Sequence, residues 1–183
     1  PSVYFNTKLY TGNGSVRTET GVGFQPDMVW IKDRTGTNNH EIADAVRGAN
    51  YQIYPNLTNA QTNAGGHLTA FASDGFTLGT DGATNTNNSN YVAWNWKANG
   101  QGSSNTAGSI NTTYTSVNTT AGFSISQYVG NATSGATVGH GLGTTPGLIF
   151  VKKTSGSDGW GVYHHKNTSA PATEYLRLDS TAA

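Results

Sequence analysis

Pro26-Asp27-Met28-Val29-Trp30-Ile31-Lys32 has an echo later in the chain, at Pro146-Gly147-Leu148-Ile149-Phe150-Val151-Lys152. Both stretches run proline, one small or polar residue, four apolar residues, lysine. The offset, 146 − 26 = 120, holds at all seven positions without a gap. Met/Leu, Val/Ile, Trp/Phe and Ile/Val are exchanges that roughly keep bulk and β-preference, as one buried strand used in two similar cores would require. Four consecutive apolar residues imply burial on both faces, or a strand at the centre of a sandwich. A repeat of this length defines the architecture before any single motif does.

Working outward, Phe5 to Tyr10 alternates as a strand, and Gly12-Asn13-Gly14 predicts a tight hairpin returning through Ser15 to Val22. His40 to Val46 fits a strand or one turn of helix, with the β-context favouring the strand, and Tyr51 to Tyr54 reads as another short strand before a polar loop over 55–66. Leu68–Phe71 and Gly75–Leu78 flank a Ser73-Asp74 turn, 81–90 is a small, polar loop, and Tyr91–Lys97 closes the unit. On that last strand Val92, Trp94 and Trp96 share one face, opposite Tyr91, Ala93 and Asn95. The Gly/Ser/Asn-rich stretch 99–107 marks a junction. Beyond it Ser109–Val117 opens a second unit, and Tyr128-Val129-Gly130-Asn131 echoes Tyr10-Thr11-Gly12-Asn13. At the offset of 120, Trp160, Val162 and His164 fall on His40, Ile42 and Asp44, and Tyr175–Leu178 corresponds to Tyr51–Tyr54.

The expected fold is therefore all-β: tandem antiparallel β-sandwich repeats, jelly-roll-like, over 1–98 and 108–183, with the second copy incomplete. Counterparts of Gly75–Leu78 and Tyr91–Lys97 are missing from that copy. A sandwich without them has bare edges and an open core. The expectation is that the chain is a segment of a longer polypeptide or that neighbouring chains supply the missing strands.

Composition narrows the function. Charged residues make up 11% and cancel to a formal net charge of zero. That argues against nucleic-acid binding, which needs a basic surface to displace counterions. Cysteine is absent, so there are no disulfides or thiolate metal sites. No apolar run reaches the roughly 18 residues of a membrane span, and the start lacks the features of a signal peptide.

The spacing of chemistry-bearing residues predicts no catalytic set, cofactor or metal site. His164-His165 are adjacent, which on a strand sends the rings to opposite faces. His40, Glu41 and Asp44 could supply ligands, yet the repeat puts Trp160 and His164 at the first and last of these positions. The glycine clusters lack a strand-to-helix phosphate fingerprint, there is no Gly-x-Ser-x-Gly elbow, and no convergent acid pair stands out. Among aromatics, Trp30 lies inside an apolar run and is expected in the core, as are Trp94 and Trp96. Trp160, between Gly159 and Gly161, is the best candidate for exposure, with core filling as its alternative. Trp160, His164 and His40 are thus the expected contacts for a glycan or a partner.

In their order, Tyr10-Thr11-Gly12-Asn13-Gly14-Ser15, Gly21 through Lys32, Asp44-Ala45-Val46-Arg47-Gly48, Ser73 through Gly79 and Tyr91 through Ala98 resemble a repeated β-domain. That domain is found in structural and tail-fibre-like proteins of tailed bacteriophages, notably those of aquatic bacteria. Val138 through Gly143 and Trp160-Gly161-Val162-Tyr163-His164 resemble the unit that follows it. The resemblance spans essentially the whole chain and carries no catalytic residues. It implies a non-enzymatic virion protein, a tail fibre, appendage or surface decoration at the particle surface. Its partners would be other virion subunits, with homo-oligomerisation and contact with a host surface glycan. A carbohydrate-binding module using exposed loop aromatics is the alternative, and a depolymerase ranks last.

Overall fold

A computed structural model describes residues 3–63 and 65–180 of the chain. Ala64, within the expected 55–66 loop, and residues 1, 2 and 181–183 at the outer unit boundaries lie outside the described residues. Strands β1 (Phe5–Thr11), β8 (Asn90–Trp96), β3 (Met28–Asp33), β4 (Glu41–Asp44) and β5 (Gly48–Ile53) form one antiparallel sheet in that spatial order. Strands β2 (Arg17–Thr20), β7 (Gly75–Leu78) and β6 (Leu68–Ala72) form a second. The two sheets face each other across one core. Tyr10, Val29, Ile31, Ala43, Tyr91 and Ala93 come from the first, and Leu68, Phe76 and Leu78 from the second, with Val22 and Phe24 from the segment after β2. The all-β, sandwich-like class is therefore as expected.

Side-chain alternation explains what the run at 28–31 does. Val29 and Ile31 point into the core and are fully buried, whereas Met28 and Trp30 lie half-buried on the opposite face. On β8 the same division holds: Tyr91, Ala93 and Asn95 face the core, and Trp94 and Trp96 are half-buried on the outside. Trp30, Trp94 and Trp96 are consequently not residues of the inter-sheet core. Tyr10 stacks on Tyr91 at 5.1 Å between ring centroids, and its hydroxyl donates to the Thr84 carbonyl at 2.8 Å. That bond gives the buried phenol a partner.

The hairpin expected at Gly12-Asn13-Gly14 does not form. β1 pairs with β8 and β2 with β7, so the chain crosses between sheets here. A tight primed turn needs positive φ at both central residues, and of Asn13 and Gly14 only Gly14 has it. The loop is instead held by the 81–90 segment. Gly12 and Gly14 donate to the carbonyls of Ser89 and Asn85, and Asn13 N–H donates to the Asn85 side chain. A Cβ on Gly12 would meet the Thr86 carbonyl at 2.3 Å, which makes this close approach possible only for glycine. The 81–90 stretch also contains one helical turn, α1 (Gly82–Asn85), capped by Asp81.

The second half contributes two hairpins, β9 (Thr112–Asn118) with β10 (Phe123–Tyr128) and β11 (Leu148–Val151) with β12 (Gly161–His164). The β11–β12 register reproduces that of β3–β4 pair by pair. Leu148, Ile149, Phe150 and Val151 oppose His164, Tyr163, Val162 and Gly161. Met28, Val29, Trp30 and Ile31 oppose Asp44, Ala43, Ile42 and Glu41. Every residue differs from its counterpart by 148 − 28 = 120 positions. Leu176 bridges to Val162, beside β12 as β5 lies beside β4, although 175–178 forms no continuous strand.

The environments of the two hairpins differ. Leu148, Ile149, Phe150 and Val151 are 49, 41, 44 and 46% exposed, whereas Val29 and Ile31 are 0 and 2%. Stretch 99–107, expected as a junction, is built onto β9. Asn99 N–H donates to Ser116 Oγ at 2.8 Å, Ser103 pairs with Thr115, and Gly102 sits where a Cβ would be 2.0 Å from the Thr115 carbonyl.

Candidate metal centre

Glu41 is the first residue of β4, and strand alternation turns it to the core side with Ala43, away from His40. His67 immediately precedes β6, after Gly65 and Gly66, both with positive φ. The chain from 79 to 81 runs back alongside it: Gly79 N–H donates to the His67 carbonyl at 2.7 Å and Asp81 N–H to the Gly66 carbonyl at 2.9 Å. Any Cβ on Gly79 would lie 2.3 Å from the Gly66 carbonyl, so glycine is needed for the two segments to close. These bonds place Asp81 beside His67, and sandwich closure brings both to Glu41.

His67 Nδ1 lies 2.8 Å from Glu41 Oε2 and 3.3 Å from Asp81 Oδ1. The three ligand atoms fall within 4.8 Å of one another. Glu41 is 3% exposed, His67 7%, and the Asp81 side chain is partly open to solvent. Glu41 Oε2 and His67 Nδ1 form a buried ion pair when the imidazole is protonated, although their contact is poorly aligned as a hydrogen bond. Asp81 Oδ1 also accepts from Ala83 N–H at 2.8 Å, which fixes its carboxylate. Burial pushes the Glu41 carboxyl up, opposed by His67 and reinforced by Asp81. Burial would lower the His67 imidazole, but the Glu41 and Asp81 carboxylates outweigh it and raise it. Tyr54 borders the cluster, its phenol raised first by burial and then by the charges of Glu41 and Asp81.

The residues singled out from sequence are dispersed. His40 is half-buried and its Nδ1 accepts the Trp30 indole N–H at 2.9 Å, which commits that nitrogen as an acceptor. Burial, with Lys32 nearby, lowers its pKa. Asp44, considered with it as a ligand, is paired with Arg47 at 2.6 Å. Trp160 is not exposed as expected: it is 4% exposed, packed with Ile42 and Ile53 against Met28, Trp30 and Leu178. The reason is that the outer face of β3–β5 is itself apolar and the second half covers it. His164 is half-buried, accepts from Lys166 N–H at 3.3 Å and meets the His165 ring edge-on at 5.2 Å. No hydrogen bond or ring contact among the described residues joins any two of His40, Trp160 and His164.

Glu41 was considered only with its sequence neighbours, and His67 and Asp81 were not singled out at all. Their separations, 67 − 41 = 26 and 81 − 67 = 14, match no local ligand spacing, because three segments on two sheets build the cluster. Gly161 occupies the position 120 residues beyond Glu41, so the second half does not repeat it.

The whole chain, residues 1–183, matches the family model described as Domain of unknown function (DUF7483), and the chain belongs to that family. No curated protein and no solved structure matches it.

Proposed function

We propose that this member of the DUF7483 family is a non-enzymatic structural module. In it, two copies of one β-unit stack, and the second is completed by a strand of the β8 pattern from a neighbouring unit. The observation that carries this reading is the contrast between β3 and β11. Their hairpins share one register, yet β3 is flanked by β8 and β4, while β11 pairs only with β12 among the described residues. Four adjacent apolar residues left open on a strand edge form a pairing template. β-Strand addition satisfies such an edge through main-chain bonds and supplies side-chain contacts on both faces.

The resemblance to repeated β-domains of tailed bacteriophages supplies the setting: a tail fibre, appendage or surface decoration of a virion. There the units act as spacers and their loops face neighbouring subunits or a host glycan. Burial of Trp160 removes the aromatic on which the carbohydrate-binding alternative relied. Reconstruction of a fibre assembled from the native polypeptide tests the proposal. An antiparallel strand along the open edge of Leu148–Val151 is the expected result. An edge facing solvent in the assembled particle, or cleavage of host polysaccharide by the purified protein, would contradict it.

A further inference from the structure

We propose that Glu41, His67 and Asp81 bind one divalent transition-metal ion, Zn²⁺ being the best fit, and that the ion fastens the two sheets of the first sandwich together. Three atoms of ligand type converge from three segments. Two of them, Glu41 Oε2 and His67 Nδ1, belong to side chains more than nine-tenths buried and face each other at 2.8 Å, so a buried carboxylate and imidazole already converge on the place an ion would occupy. An ion 2.0–2.2 Å from each ligand at tetrahedral angles needs ligand separations of about 3.3–3.6 Å. The Nδ1–Oδ1 distance of 3.3 Å meets this, and the 2.8 Å Nδ1–Oε2 contact would open by about half an ångström.

Charge and ligand type agree. Two carboxylates balance a divalent cation and leave the imidazole neutral, the form in which it coordinates. One imidazole with two carboxylates suits Zn²⁺ or Mn²⁺, whereas Ca²⁺ and Mg²⁺ take oxygen ligands. Asp81, the most open of the three, leaves a side for water as a fourth ligand. Glu41 belongs to the five-stranded sheet, and His67 and Asp81 flank the β6–β7 hairpin of the other, so the ion would act as a cross-link between layers.

The test is calorimetric titration of the chelator-treated full chain with ZnCl₂, beside a thermal melt with and without the ion. Expected are one site per chain, micromolar or tighter affinity and a raised melting temperature. Glu41→Gln and Asp81→Asn should each weaken affinity at least about tenfold. The double variant His164→Ala/His165→Ala, which removes the adjacent histidine pair on β12 and the turn after it, should leave it unchanged. If Glu41→Gln fails to fold, Asp81→Asn at the partly open position still decides. Co²⁺ in place of Zn²⁺ should give visible absorption bands that Asp81→Asn abolishes. No binding of Zn²⁺, Co²⁺ or Mn²⁺ below about 100 μM, affinity indifferent to Asp81→Asn, or preference for Ca²⁺ would each overturn the proposal.

Discussion

The indole N–H of Trp160 donates to the main-chain carbonyl of Tyr54 at 2.9 Å, joining the second half of the chain to the first. Around it, Asp158 N–H donates to the Thr58 carbonyl at 2.9 Å and Gln61 N–H to that of Thr154 at 3.0 Å. Lys152 Nζ reaches the Thr58 carbonyl at 3.0 Å. On another side Trp96 stacks over Phe123 at 6.2 Å. The halves are therefore docked through both apolar and main-chain contacts.

Trp160→Ala should lower stability by about 3–5 kcal/mol, through lost burial against Ile42 and Ile53. Trp160→Phe keeps an aromatic ring and loses the indole bond, at a cost of about 1–3 kcal/mol for the part-buried carbonyl left without it. Urea denaturation followed by Trp fluorescence reads both. Equal effects from the two substitutions would show that packing is not the main term.

Asp27 fastens the start of β3 to the chain leaving β8. Its carboxylate accepts from Ala98 N–H at 2.6 Å and from Gly100 N–H at 3.0 Å, in a buried position. Asp27→Asn places an amide donor against one of those N–H groups and should cost about 1–3 kcal/mol. Hydrogen exchange at Ala98 or Gly100 should accelerate before that of the β3–β8 ladder. Unchanged exchange at both amides would contradict the clamp.

Asp33 gives the protein part of its acid sensitivity. Burial raises its pKa, but N–H donors from Gly36 and Thr35, the Asn38 amide and the Lys32 charge outweigh burial and hold it below the ordinary 3.8. A depressed folded pKa means that this stabilisation is present above the unfolded value and is lost as pH falls through the folded one. Asp33→Asn should therefore be less stable than the parent near neutral pH, with the gap closing below about pH 3.8. A gap that stays constant with pH would contradict the assignment.

The strands at 28–33 and 148–151 were legible in the sequence because an apolar run and its echo depend on local pattern alone. Their surroundings were not, since burial is decided by what packs on them. Val29 and its counterpart Ile149 carry the same kind of side chain and end in opposite environments. Asn13-Gly14 misled because its turn type depends on the φ of Asn13, which contacts with Asn85 determine. Trp160 misled because flanking glycines suggest a loop, while the apolar face that receives it lies more than a hundred positions earlier. The Glu41–His67–Asp81 cluster left no spacing signal, since it exists only once two sheets have closed. Gly66 and Gly79, whose backbones touch, were its one local trace.

Acceptance of a β8-type strand by β11 is the claim on which the functional account turns, and hydrogen exchange at Leu148–Val151 measures it most directly. The β3–β8 register places Met28 opposite Trp96 and Ile31 opposite Ala93. A synthetic peptide of the sequence Asn90–Lys97 should therefore seat its Trp96 position at Leu148 and its Ala93 position at Val151. Saturating peptide should slow exchange of β11 amides at alternate positions, and a scrambled peptide should not. Exchange at Leu148–Val151 that stays the same with and without the Asn90–Lys97 peptide would contradict it.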